Sequence, residues 1–165
     1  MIPVLHTERL TLRAPTTADW PAYAAFVAGP RSDGIGGPLD TKQAWLTFAG
    51  MLGHWQLKGF GWWMIEYEGQ AVGYSGIHNP PYKQDMEIGW ALFDGQEGQG
   101  FAHEAALAGL RYAATVIRPA RLVSYIFNGN TGSEALADKL GAAPEGPSTE
   151  YDDVTIWVHP MQAAR

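Results

Sequence analysis

The sequence predicts an α/β protein built on a mixed sheet, in the order β-α-α-β-β-β-α-β-α-β-β. Three observations carry this. Two strand-like runs, Trp62 to Glu68 and Ala71 to His78, are separated only by a tight turn around Gly69, which makes an antiparallel hairpin. Downstream, strand, helix, strand and helix alternate from Met86 to Leu140, the pattern of a parallel unit. No internal repeat, low-complexity tract or long linker interrupts the 165 residues, so a single domain over 1–165 is expected.

Each element has a local reason. Arg9-Leu10-Thr11-Leu12-Arg13 alternates polar and apolar, as a half-buried strand does. Thr16 followed three residues later by Asp19 resembles a capping box, and Pro21 falls in the first helical turn, where its missing N–H costs nothing. That helix, through Tyr23, Phe26 and Val27, stops before Gly29-Pro30, and residues 29–38 read as a loop. From about Thr41 to Lys58, Ala44, Trp45, Phe48, Leu52 and Trp55 recur at the spacing of one helical face, with Gly59 and Gly61 ending the run. After the hairpin, Met86 to Phe93 is a strand. A long helix follows from Gln99 or Gly100 to near Ile117, before Pro119. Leu122 to Phe127 is β-branched and aromatic, and Thr131 to Leu140 is a short helix closed by Gly141. The tail reads as a terminal hairpin of Ser148 to Tyr151 and Val154 to His159.

Composition narrows the function. With no cysteine there is no disulfide, thiolate metal site or cysteine nucleophile. A formal charge of −6 argues against non-specific nucleic-acid binding, which needs a positive surface. No apolar run approaches a membrane span and the first residues lack a signal-peptide pattern, so cytoplasm is the expected compartment. Several motifs fail at a named residue. Gly73-Tyr74-Ser75-Gly76-Ile77 has isoleucine where a nucleophile elbow needs glycine. His103-Glu104 is followed by Leu107 where a zinc protease needs its second histidine, and the other histidines show no ligand spacing, so no metal is expected. The glycine-rich turn at 95–100 lacks the Lys-Ser/Thr of a P-loop, and His103 breaks the dinucleotide fingerprint.

That turn is the chemically informative stretch. Gly95, Gly98 and Gly100 separate a strand end from a helix start. The first N–H groups of a helix have no internal partner and its dipole favours an anion, while glycines let backbone N–H groups converge on a bulky ligand. Strand, glycine turn and helix start therefore make a pyrophosphate site that needs no lysine.

The stretch also resembles the GNAT superfamily of acyl-CoA-dependent N-acetyltransferases, and most of all its RimJ/RimL-like branch. Glu97-Gly98-Gln99-Gly100-Phe101-Ala102 aligns with the Q/R-x-x-G-x-G/A signature, and "GQGFAHEA" is similar to phrases of that branch. Thr7 to Arg13, Glu87-Ile88-Gly89-Trp90, Asn130 with Ser133, and Lys139-Leu140-Gly141 continue the likeness in family order. The resemblance implies a single-domain GNAT-like fold and acetyl-CoA as co-substrate. It implies that Leu92 and Phe93 pair their backbones with the pantetheine arm, and that amides from Gly98, Gln99, Gly100, Phe101 and Ala102 hold the pyrophosphate. Asn130 and Ser133 would lie near the cofactor's other side, although Asn130 also reads as a helix N-cap. Position 97 departs from the signature: its carboxylate would repel a pyrophosphate, so the side chain is expected to turn to solvent.

For catalysis the resemblance implies direct attack of a primary amine, from a protein N-terminus or a small molecule, in a ternary complex. Glu87 is the carboxylate placed to act as base, with His78 as the other titrating group nearby, and the backbone N–H of Leu92 is the oxyanion donor. Ala137 occupies the position of the tyrosine acid some members use, leaving Tyr125 and Ser133 as the nearby hydroxyls. The missing tyrosine and Glu97 leave open a second reading, a non-catalytic acyl-CoA-binding module. Family members often dimerise, so a homodimer is an expectation of the resemblance alone. The acceptor should be chosen by the 29–38 loop, the second helix, the terminal hairpin and one of Trp62 and Trp63, which point to opposite faces of a regular strand.

Overall fold

The computed structural model describes residues 1–161, so residues 162–165 of the expected domain lie outside it. The elements are β1 (Leu5–His6), β2 (Thr11–Arg13), α1 (Trp20–Ala28), α2 (Thr41–Lys58), β3 (Trp62–Tyr67), β4 (Gln70–His78), β5 (Glu87–Leu92), α3 (Phe101–Tyr112), β6 (Val123–Phe127), α4 (Thr131–Lys139), β7 (Ala143–Pro147) and β8 (Val154–Val158). All eight strands form one sheet in the order β1-β2-β3-β4-β5-β6-β8-β7. Only β5 and β6 run parallel, and every other neighbouring pair is antiparallel.

Local chemistry explains most boundaries. The carboxylate of Asp19 accepts from the Thr16 N–H at 2.7 Å, the reciprocal bond of a capping box. It is also forked by Arg13, with contacts of 2.9 and 2.8 Å, which ties the end of β2 to the start of α1. Asp40 opens α2 by accepting from the Gln43 N–H at 2.8 Å. The β3–β4 turn places Glu68 and Gly69 both at positive φ, the conformation a two-residue hairpin loop requires. The expected 29–38 loop contains a 3₁₀ stretch, Pro30–Ile35, pinned by the buried Ser32 hydroxyl donating to the Val27 and Gly29 carbonyls. A π-helical turn, Ala113–Ile117, continues α3 to the expected end.

The tail corrects one expectation. The outer strand is Ala143–Pro147 rather than Ser148 to Tyr151. Ser148 Oγ accepts from the N–H groups of Glu150 and Tyr151 and folds that segment into a turn, with Asp153 at φ 57°. Two prolines and a glycine disguised β7, but an edge strand with a bulge tolerates them.

Helices cover both faces. On one, Tyr23, Phe26 and Phe48 from α1 and α2 pack on Met64, Tyr74 and Ala91. On the other, Phe101 and Ala105 of α3 pack with Leu12, Trp63 and Ile65, and α4 buries Ala137 against Ile126. Trp63 is fully buried on the α3 face, while Trp62 lies half-buried on the opposite one, as the strand period requires. Among the described residues, no helix is long and apolar enough to cross a membrane and no cluster of metal-binding side chains occurs.

Candidate active site

The site begins where β5 and β6 part. They pair at one position, Glu87 with Val123, and then diverge. The Phe93 N–H donates to the Val72 carbonyl at 2.9 Å, on the β4 side. Because successive residues of a strand turn their polar groups to opposite neighbours, Trp90 and Leu92 aim N–H and C=O toward β6, where no ladder receives them. The result is a V-shaped opening with two backbone positions on one wall that have no partner on β6. The expected role of Phe93 is corrected here: its N–H is committed to β4, its carbonyl accepts from the Gln96 N–H, and its side chain is buried against Phe26 and Tyr74. Trp90 takes its place beside Leu92.

The glycine turn lies beyond the mouth of this opening. Gly95, Gly98 and Gly100 all have positive φ, and Gly100 is the N-cap of α3. No side chain caps that helix start, so the N–H groups of Phe101 and Ala102 keep their capacity for an external acceptor. A Cβ added at Gly98 would meet nothing within 4 Å, which leaves room for close approach. These observations fit a pyrophosphate. The turn is braced from the N-terminal segment: Glu104 accepts from the Thr7 hydroxyl at 2.6 Å and from Arg9 N–H and Nε at 2.8 Å each. Arg9 also donates to the Gln99 carbonyl at 2.9 Å and stacks over the buried Phe101 ring. This network holds the Glu104 carboxyl below its ordinary range despite partial burial, which acts the other way.

Glu97 is exposed, as expected, but its carboxylate is not free. It pairs with Arg31 at 2.6 Å, and the same guanidinium reaches Asp94 at 2.7 Å and the Leu92 carbonyl at 3.2 Å. Arg31 thus joins the 3₁₀ stretch to the mouth of the opening and offsets the charge that looked misplaced. Beside it, a groove of about 400 Å³ runs between Arg31, Gly34 and the Phe127–Asn130 segment. Asn130 serves as N-cap of α4, accepting from the Ser133 N–H at 3.2 Å, and its amide packs against Gly34. Ser133 Oγ lies 3.4 Å from the Trp90 indole nitrogen, bridging α4 to β5.

At the closed end of the opening sits Glu87. Its side chain is 15 % exposed and ion-paired with Lys83. Burial raises its pKa most strongly, Lys83 opposes that, and Glu150 adds to the rise. Around it on the α1/α2 face stand His78, its register partner on β4, and Trp62, which fills the space above Gly89. A Cβ at Gly89 would lie 2.7 Å from the Trp62 ring, so only glycine admits that indole. His78 packs against Trp62 and His54, and its pKa is pushed down to about 4 by burial, with the neighbouring His54 and Lys83 adding to the fall. It is a neutral imidazole near pH 7. Tyr125, across on β6, donates its hydroxyl to Glu150 at 2.7 Å, and burial followed by that carboxylate raises its pKa. Ala137 is fully buried in the sheet–α4 core.

The residues missed from sequence are those that act across distance. Arg9 and Arg31 carry no local signal. Lys83 stands four residues before Glu87, but the pair spans a loop and a strand, so the helical spacing rule gives no warning. Glu150 reaches the site only because of the turn that Ser148 folds.

Splayed parallel strands, an uncapped helix start and an acidic, aromatic pocket thus lie along one opening. A model of the acetyltransferase (GNAT) domain matches residues 9–143. The uncharacterized N-acetyltransferase YoaA of Bacillus subtilis strain 168 is 27 % identical over 159 residues, spanning 92 % of this chain and 89 % of that protein. The crystal structure of an acetyltransferase from Agrobacterium tumefaciens strain C58 matches with a TM-score of 0.92 at 38 % identity, covering 97 % of this chain and 95 % of that one. The RimL ribosomal L7/L12 α-N-protein acetyltransferase, solved in complex with coenzyme A, shares the fold with a TM-score of 0.77 at 21 % identity, covering 98 % of each chain. The chain belongs to the GNAT acetyltransferase family.

Proposed function

We propose that the chain, as one domain over residues 1–165, is an acetyl-CoA-dependent N-acetyltransferase that acts on a primary amine by direct attack in a ternary complex. The observation that carries this reading is the backbone of Trp90 and Leu92, left without a strand partner where β5 and β6 part, leading to the uncapped start of α3. A bound acetyl-CoA supplies the electrophilic thioester carbonyl. Trp90 offers its backbone N–H and C=O, and Leu92 its N–H, to the amide-bearing arm, and the N–H groups of Gly98 to Ala102 receive its pyrophosphate. Asn130 and Ser133 line the opposite side.

Glu87 is the base in this reading. Its buried setting favours the neutral acid, which strengthens the carboxylate as a proton acceptor once it is ionised. Base and oxyanion donor must converge on the same few atoms. Leu92 lies five residues along the strand from Glu87, about 16 Å at the usual rise, whereas Trp90 lies only about 10 Å away. The Trp90 N–H therefore supports the oxyanion role better than the Leu92 N–H does. No tyrosine stands at position 137, and the Tyr125 hydroxyl is already donated to Glu150, so in this reading the departing thiolate takes its proton from solvent or from protonated Glu87.

Two measurements test the reading. At a hundredfold excess over its Kd, acetyl-CoA should stabilise the folded chain by about 2.7 kcal/mol in a thermal-shift assay. Thiol release with a primary amine should then continue over many turnovers. No stabilisation at saturation would remove the co-substrate, and stabilisation with no turnover across a broad amine panel would leave a binding module.

A further inference from the structure

The Lys83 ammonium does not sit on the surface, as most lysines do. Its side chain is 10 % exposed, ion-paired with Glu87 and held over two aromatic faces. Its Nζ lies 4.6 Å from the Tyr125 ring centroid and 5.0 Å from that of Tyr151, and the two rings meet edge to face at 76°. Glu150, bonded to the Tyr125 hydroxyl, brings a second carboxylate to the same pocket. A primary ammonium is what such a box recognises: faces with negative quadrupoles on the sides and a carboxylate at the end. The box also stands at the closed end of the β5–β6 opening, on the carboxylate assigned as base.

We propose that this box is the seat for the acceptor's ammonium, that Lys83 occupies it in the resting chain, and that the acceptor is an unbranched primary alkylamine, the lysine-like class. This rests on the transfer reading above and gives it a substrate class. Three features support it. The occupant is itself a four-carbon chain ending in NH₃⁺, so the seat is shaped for a slim methylene stem, whereas a peptide α-amino group carries a branch and a carbonyl on the adjacent carbon. Lys83 enters from the 79–86 loop, outside any helix or strand, so its head can withdraw without breaking the sheet ladder. The two carboxyl groups flank the space that head leaves, so an incoming ammonium restores the charge partner that Glu87 loses. Lys83 is a seat-holder and not the substrate: Glu87 and the adjoining Tyr151 hold its ammonium in the charged, non-nucleophilic form against burial.

The first experiment needs no turnover. Lys83→Ala vacates the seat and strands Glu87, so it should lower Tm. n-Butylammonium chloride at millimolar concentration should restore Tm saturably in the variant, while sodium chloride at equal ionic strength and wild-type protein show no such response. Where the truncation leaves the chain unfolded, Lys83→Met keeps the stem, and methylammonium is the probe. A Tm response to butylammonium no larger than to sodium overturns the proposal. The second experiment measures thiol release from acetyl-CoA. Removing the competing head should lower KM for Nα-acetyl-lysinamide about tenfold, and lower it more than KM for a dipeptide with a free α-amine. The reverse preference overturns it, as does acetylation of Lys83 itself by mass spectrometry. Tm rescue with no thiol release from any amine upholds the seat and overturns the transfer reading, so the two fail separately.

Discussion

His159 should make the fold acid-sensitive, and the size of the effect follows from its surroundings. The residue is 2 % exposed and follows β8, with its N–H donating to the Leu122 carbonyl. Ser124 Oγ lies 2.7 Å from the Ile88 carbonyl, to which it gives its one proton, and 2.9 Å from His159 Nε2. The imidazole must therefore carry its proton on Nε2 and donate it to Ser124. Its other nitrogen, Nδ1, is buried with no partner among the described residues, and Trp90 stands edge-on beside the ring. A second proton would go onto Nδ1, where nothing accepts it, and burial accordingly pushes the pKa down to about 4. In the unfolded chain the same group titrates near the ordinary histidine value of about 6.5. Between these values the unfolded state binds more protons, so stability is intact above about 6.5 and falls as pH is lowered toward 4. From pH 7.5 to 5.0 the loss from this residue is about 2 kcal/mol. His159→Gln keeps an amide donor for Ser124 and cannot titrate. Urea unfolding of both proteins at both pH values gives the double difference, which cancels other titrating groups, including His78. A pH-dependent loss in the variant equal to that of wild type would refute the argument.

Three further outcomes follow from the site. Glu87→Gln should lower kcat about 10²- to 10⁴-fold and abolish the acid limb of the kcat/KM profile; that limb lies above the ordinary carboxylate value in wild type, because burial raises the Glu87 pKa. Persistence of the limb in the variant would assign the base elsewhere. Glu97→Gln removes a carboxylate beside the glycine turn and releases Arg31 from one of its two ion pairs; since these groups are partly exposed, acetyl-CoA affinity by titration should rise only about two- to fivefold. Weaker binding would mean that the pair itself holds the mouth open. Gly100→Trp puts a bulky side chain at a φ of 80° on the helix start, so the thermal stabilisation by acetyl-CoA should vanish, and its survival would move the pyrophosphate away from this turn.

Periodicity, breakers and caps are enough to place most elements of this protein, the two-residue β1 and the outer β7 excepted. The hairpin turn and the Thr16–Asp19 box rest on contacts within a few residues, which local sequence encodes directly; the bounds of α2 were legible too, but its buried face is Ala44, Phe48, Met51 and Trp55, with Trp45 and Leu52 of the expected face exposed. The glycine turn was readable for the same reason, since positive φ and an uncapped helix start are local properties. The outer strand was not. Ala143–Pro147 is a strand only because β8 lies beside it, and its two prolines argue against it in isolation. The site divides along the same line. Glu87 could be found by its position on a strand, but its neighbours could not, because Lys83, Tyr125, Glu150 and Tyr151 come from a loop, another strand and a turn brought together by packing. The same holds for Glu97, whose partner lies 66 positions away in the sequence. Sequence alone marked the glycine turn and helix start proposed to receive a pyrophosphate. Tertiary structure decided which charges face one another, and so what the pocket holds, because Coulomb and cation–π energies depend on distances through space that chain order does not fix.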